Sequence, residues 1–466
     1  MTAPATDKSP RRLEINKAGG QMVADYWENV FTARERGQKV VWYNGSAVNP
    51  IFQAAGLAWC HGEAFSARLA AQHLEVPAQL AGQEYGYVGE LCSYARTHLG
   101  CAVLSQKRSG GRQPAELAEP AGRVSTAGSA TGTGVVGLPA QEELAAKLPT
   151  PDFFVNAYAG CSTGQQWDDI SFRVFGKEVP VFNVSMPYMW SNRPGEGYMV
   201  GEEWERAGRY VRDQLKELIS FIEHMTGEPF DWEAYRQIMA YIKRASELRR
   251  EAMALCRQTP AAATFWDWIA NVAHINFLPA SQELVDFFTA VRDEVQQRVD
   301  EGVGALHTER YRLYFDGFMN WNKLGFLAKK FASHDVAVVA GRYNEHAFWQ
   351  EHQLIDEKDP LLGQAQNHLL CPMNHATKTI EHLVLRDCER YNVDGIVFHS
   401  TRTCRAFTNP QRLVAKAAQN KMGLPSIFFE GDIADASFYK DEILESRLAA
   451  MLEGIDAQRA RRRAGP

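Results

Sequence analysis

The chain of 466 residues has no run of about 18 or more apolar residues, the length a membrane-spanning helix needs, so no transmembrane helix is expected. It has no excess of positive charge. The formal net charge is −6, and no basic patch is interleaved with aromatics, which argues against a dedicated nucleic-acid binder. It has no GxxxxGK[ST] stretch, so nucleotide hydrolysis is not expected of this chain. It has no CxxC-type clamp, so cysteine spacing alone gives little sign of a metal. The opening MTAPATDKSPRRLEINKAGG is polar and lacks the apolar core of a secretory signal, so a cytoplasmic location is expected. Eight cysteines in a long cytoplasmic chain then read as thiols or metal ligands rather than as a disulfide framework.

What is present suits a soluble enzyme-sized protein. With 45% hydrophobic and 23% charged residues the chain can bury sizeable cores, and 11 Trp with 24 Phe point to deep cores or a large buried interface. At roughly 100–200 residues per domain, two or three domains are expected. Residues 1–38 read as an N-terminal arm and a helix over 21–37, and 39–195 as a first α/β domain. Within it, 106–138 is rich in Gly, Ala, Ser and Thr and reads as an insertion loop. Helical spacing over 200–226, 231–258 and 280–303 predicts a helical segment at 196–305, followed by a second α/β domain at 306–466.

Two stretches repeat one plan. In YAGCSTGQQWDDISFRVFGKEVPVFNVSMP, a strand over 152–156 leads to a loop with Cys161, a helix over 164–175 and a strand from Val179. Near the C-terminus a strand over 395–399 leads to a loop with Cys404, a helix over 410–422 and a strand from Leu424. Gly176 and Gly423 stand where helices end, and Pro180 and Pro425 open the return strands. A β-loop-α-β crossover demands parallel strands, and ligands of open parallel sheets bind beyond the strands' carboxyl ends. The fold class predicted is therefore α/β, with two Rossmann-like parallel-sheet domains facing each other across a crevice and a helical block between them. Cys161 and Cys404 would share that crevice. Cys92, in ELCSYARTHLG, also sits at the mouth of a helix, where thiolates suit metal binding or nucleophilic work. Soft thiolates select iron–sulfur clusters or zinc.

Other residues carry two readings each. His61 and Glu63 in CHGEAF are acid/base candidates or an exposed loop pair. His399 ends a strand and points at the crevice or into a packed layer. Arg402 and Arg405 bind a phosphate, tune a cluster, or are solvated; residues 430–432, EGD, are substrate contacts or a turn. His375 and His382 share a helix face at a spacing that is weak for metal. Cys256 and Cys388 fall within helical patterns, Cys101 reads as structural, Cys371 is set apart from the three, and Cys60 is the best of the outsiders.

The stretches AAQHLEVPAQLAGQEYGYVGELCSYARTHLG, LPTPDFFVNAYAGCSTGQQWDDISFRVFGKEVPVFNVSMP and RYNVDGIVFHSTRTCR…GLPSIFFEGD resemble the 2-hydroxyacyl-CoA dehydratase D-component family. That family includes the catalytic subunits of ATP-dependent benzoyl-CoA reductase, and the similarity spans roughly 22–455. The resemblance implies a [4Fe–4S] cluster held by Cys92, Cys161 and Cys404, with one iron position left to a non-protein ligand. It implies a paralogous catalytic subunit as partner, and an ATP-hydrolysing iron–sulfur activator fed by ferredoxin, which agrees with the missing phosphate loop. It implies an acyl-CoA substrate, with neither nucleic acid nor membrane as partner. His61, Glu63 and His399 are then the candidate proton carriers. The chain departs from the family in NPIFQAAG, where Gln53 stands at the place of an expected acid. That departure favours a reductase subunit over a 2-hydroxyacyl-CoA dehydratase subunit; a cluster-bearing paralogue that never touches substrate is a third reading.

Overall fold

The computed structural model describes residues 9–464 except 46–47, 109–146, 159, 162, 165–166, 168–172, 176–178, 191–198, 347–348 and 350. Its framework is two four-stranded parallel sheets flanked by helices, an α/β architecture of two Rossmann-like halves. The first comprises β1 (Val40–Gly45), β2 (Ala58–His61), β3 (Phe153–Tyr158) and β4 (Val181–Ser185), in the order β2-β1-β3-β4. Val40 lies opposite Ala58, Val41 opposite Phe153, and Phe154 opposite Val181. The second comprises β5 (Tyr311–Asp316), β6 (Val336–Gly341), β7 (Gly395–Thr401) and β8 (Ser426–Gly431), in the order β6-β5-β7-β8. Strands such as VVWY and VAVVA are apolar without alternation because helices cover both faces of a parallel sheet.

The central helices follow the apolar spacing closely. Glu202–Thr226, Trp232–Leu255 and Gln282–Asp300 each bury one stripe. In the first, Trp204, Val211, Leu215, Leu218 and Ile222 are buried, and Gly227 ends the helix with φ +77. The second starts on Asp231, whose carboxylate accepts the Ala234 N–H at 2.9 Å. Among the described residues no helix is long and apolar enough to cross a membrane.

Several expectations shift. The first helix runs Asn16–Phe31, five residues earlier than its glycines suggest. Gly19 costs helix propensity, yet the helix packs so closely there that a Cβ would stand 2.7 Å from His274 Nε2. The segment before it is anchored: Arg11 N–H donates to Ala305 O at 2.7 Å, and Leu13 N–H to Asp267 Oδ1 at 3.1 Å. No sequence pattern marks the four-residue edge strand β2. Residues 106–108, expected in a loop, end the helix Ser93–Arg108, while 109–138 lie outside the described residues. Most of the helix expected over 164–175 also lies outside them, as does Gly176. In the second half the helix Gln411–Met422 ends at Gly423 with φ +67, as the pattern requires.

Candidate active site

In each sheet the chain passes from its first strand to a second on one side, and then returns to a third on the other side of the first. The carboxyl ends of β1 and β3, and of β5 and β7, are therefore the switch points where a parallel sheet opens a crevice. Cys161 follows β3 and Cys404 follows β7, so the two thiols occupy equivalent places in the two halves. Both line one cavity of about 490 Å³, and Cys92 lines it too.

Contacts between the halves hold the three thiols there. Thr403 N–H and Thr403 Oγ–H both donate to Asp432 Oδ2 at 2.8 Å, and Ser93 N–H donates to Thr403 Oγ1 at 3.0 Å. Ala434 N–H donates to Ser93 Oγ at 3.1 Å, so the residues after Cys92 and before Cys404 are tied to one buried carboxylate. The Cys161 loop is fixed from the other side. Met189 N–H donates to Asn374 O at 2.8 Å, and Asn374 Nδ2 to Pro187 O at 2.8 Å. Gly160 has φ +73, and a Cβ there would stand 2.0 Å from Met373 O, so only glycine fits. Burial pushes all three thiols up, and they act on one another: Cys404 and Cys161 raise Cys92, and Cys161 raises Cys404. Among the described residues no three His, Cys, Asp or Glu side chains converge as ligands of a single metal ion.

Glu63 shares the cavity wall. It lies in the first turn of the helix Gly62–Ala71, and its Oε1 accepts the Gly45 N–H at 3.3 Å. Gly45, at the end of β1, has φ +88, and a Cβ would stand 1.9 Å from Ala157 O. Burial pushes the Glu63 carboxyl up to about 7, against the pull of the Gly45 N–H. Its charge is felt by Cys161, Cys404, Cys371 and Tyr343. His61 also lines the cavity, but its Nδ1 accepts the Ala64 N–H at 3.4 Å, and burial pushes it down to about 4. The two are thus the end of a strand and the first turn of a helix rather than a loop pair. His399 is fully buried behind the cavity and does not line it. Its Nδ1 meets Phe318 O at 2.6 Å and its ring stacks on Phe429.

Other candidates are placed as follows. Gln53 clasps both backbone groups of Ala280, at 2.8 and 2.9 Å, and does not line the cavity. Arg402 and Arg405 are exposed. Of 430–432, Glu430 is exposed and Asp432 is the buried acceptor at the seam. His375 precedes the helix Thr377–Arg390 rather than sharing a face of it with His382. Cys60 is buried in β2, and Cys101, Cys256 and Cys388 are buried in packing positions. Cys371 does line the cavity, its thiol pushed up to about 12 chiefly by burial. A Cys-Pro pair just past a helix is its only signal in the sequence. The aromatic wall of Trp321, Phe318, Tyr343, Phe407 and Trp27 has no motif. Apart from Phe318 and Trp321 its members are far apart in sequence and meet only through the fold.

The family model for 2-hydroxyglutaryl-CoA dehydratase, D-component, matches residues 47–455, a span that contains all three crevice cysteines and Glu63. The chain belongs to that family. Among its relatives, a benzoyl-CoA reductase subunit of Thauera aromatica is 25% identical over 67% of this chain and 72% of its own. The alpha subunit of lactoyl-CoA dehydratase of Anaerotignum propionicum is 22% identical over 92% of this chain and 93% of its own. The alpha subunit of (R)-2-hydroxyglutaryl-CoA dehydratase of Acidaminococcus fermentans is 24% identical over 94% and 97%. Reductase and dehydratase relatives thus stand at similar distance, and the D-component family hosts both kinds of enzyme.

Proposed function

We propose that this chain is the iron–sulfur catalytic subunit of an ATP-dependent benzoyl-CoA reductase-like complex. The observation that carries the reading is the meeting of Cys92, Cys161 and Cys404 in one apolar cavity beside a carboxyl pushed up to about 7. Thiols pushed up by burial, and in Cys92 and Cys404 by neighbouring thiols as well, stay protonated unless a positive centre compensates them, and soft sulfur donors select iron. These three cysteines would hold a [4Fe–4S] cluster. When bound, such a cluster supplies low-potential one-electron transfer, which no side chain can.

The chain's own residues would do the rest. The aromatic wall takes an aromatic acyl group and excludes water, which strengthens electrostatics inside the cavity. Dearomatisation adds two electrons and two protons to the ring. A carboxyl near 7 is suited to deliver a proton at neutral pH and to recover it. The electrons would come from an ATP-hydrolysing iron–sulfur activator with ferredoxin upstream, and a paralogous catalytic subunit would complete the enzyme. Gln53, whose amide is spent on Ala280 outside the cavity, favours neither reading. The dehydratase reading rests on the near-complete coverage of the dehydratase alpha subunits.

The test is iron and acid-labile sulfide on the complex purified without oxygen, followed by turnover of benzoyl-CoA against a 2-hydroxyacyl-CoA. About four irons per copy of this chain, lost in C161A or C404A, and ring reduction are the expected results. An intact, oxygen-protected complex without iron refutes the reading, and dehydration without ring reduction replaces it with the dehydratase.

A further inference from the structure

We propose that His346, oriented by Asp387, is a second proton-transferring group of this cavity, supplied from the other half of the fold. The inference rests on the reading of the cavity as an acyl-CoA site. His346 directly follows the short helix Arg342–Glu345 at the carboxyl end of β6, and it lines the same cavity as the three cysteines and Glu63. Its Nε2 lies 2.6 Å from Asp387 Oδ2. Asp387 is buried on the helix Thr377–Arg390, where Tyr314 Oη–H donates to it at 3.4 Å and Arg386 Nε stands 3.5 Å away. A buried carboxylate on one ring nitrogen fixes the tautomer and plane of an imidazole and supports it when it carries two protons. With Nε2 committed to Asp387, the nitrogen left for exchange is Nδ1.

The rest of the wall offers few rivals. His61 caps Ala64 through Nδ1 and is pushed down to about 4 by burial, so it holds no second proton to give at neutral pH, and Tyr94, whose hydroxyl oxygen accepts the Trp321 Nε1–H, is pushed well up by burial. Asp387 also feels the charge of Arg250, whose side chain is 20% exposed and pairs with Glu345 at 3.4 Å, and Glu345 accepts Tyr391 Oη–H at 2.9 Å. In the step inferred, the substrate carbon has taken one electron from a low-potential iron–sulfur protein. The Nδ1–H bond breaks, a C–H bond forms, and His346 is left neutral with its Nε2 proton still facing Asp387. The next proton comes from solvent.

The test uses the intact anaerobic complex and whichever acyl-CoA the wild type turns over, so a wrong choice of substrate fails separately from this inference. H346Q is expected to lower kcat by about 100-fold or more, with KM within about 3-fold and iron content unchanged. H346A is expected to regain part of the loss with added imidazole, and D387N to fall between wild type and H346Q. Acylation of His346 by diethyl pyrocarbonate, read by peptide mass, is expected to be blocked by acyl-CoA. An H346Q kcat within about 3-fold of wild type overturns the inference. So does an H346A enzyme with full iron that imidazole does not help, or a His346 that acyl-CoA does not protect.

Discussion

Glu63→Gln makes the cost of the poised carboxyl measurable as stability. Glutamine keeps the shape and the oxygen that accepts the Gly45 N–H, and removes only the charge. The Glu63 value is raised by burial from 4.5 to about 7, so its ionised form is disfavoured in the fold by about 3 kcal/mol at about 1.4 kcal/mol per unit. The side chain is half-buried and faces the cavity, and water there reduces the cost to about 2 kcal/mol. The folded value lies above the unfolded one. The group's stabilising share is therefore fully present below pH 4.5 and is lost as pH rises through 7. Glutamine carries no such loss. Urea unfolding of the isolated chain, reduced and anaerobic, is expected to show wild type and variant alike near pH 4, with the variant more stable by about 2 kcal/mol at pH 8. Glu75, pushed up to about 7 chiefly by burial, adds the same trend to both proteins and cancels in the difference. An equal difference at both pH values would show that Glu63 is not held in a charge-averse setting, and its role as a proton carrier would fall with it.

Asp432→Ala leaves the N–H and hydroxyl of Thr403 without their acceptor in a buried seam. A loss of about 2–4 kcal/mol is expected by urea unfolding, together with less iron in the anaerobic complex, because Cys92 and Cys404 are held through that carboxylate. A variant as stable as wild type would show that the seam does not hold the halves together. Gly160→Ala meets both a positive φ and the Met373 carbonyl, so the Cys161 loop must withdraw from residues 372–374. The expected readout is a folded chain by far-UV circular dichroism with iron well below wild type, and full iron would refute the close approach.

The two sheets were legible because each carries its own period and punctuation. β6 is a short apolar run, β7 opens on one, and Gly423 stands where a left-handed residue must end a helix. What local pattern missed was decided at a distance. The helix Asn16–Phe31 includes Gly19 and Gly20, poor helix formers, because His274 and Phe287 press against it. β2 is four residues long and holds its place by pairing with β1, which no short stretch announces.

The site divides along the same line. Cys161 and Cys404 could be paired in advance because each follows a strand in the same local plan, and the switch point of a parallel sheet does the rest. The candidate proton carriers follow no such plan. His61 and Glu63 stand two residues apart in the sequence, yet one is spent as a helix cap and pushed down to about 4 while the other is pushed up to about 7. Burial drives both shifts, because it penalises the charged form of either group, and Gly45 opposes each of them. His346 gains its meaning only from Asp387, 41 positions later and on another element. A ligand set of soft donors tolerates wide spacing and is announced by residue type. An acid of useful pKa is made by what surrounds it, and here those surroundings come from both halves of the fold.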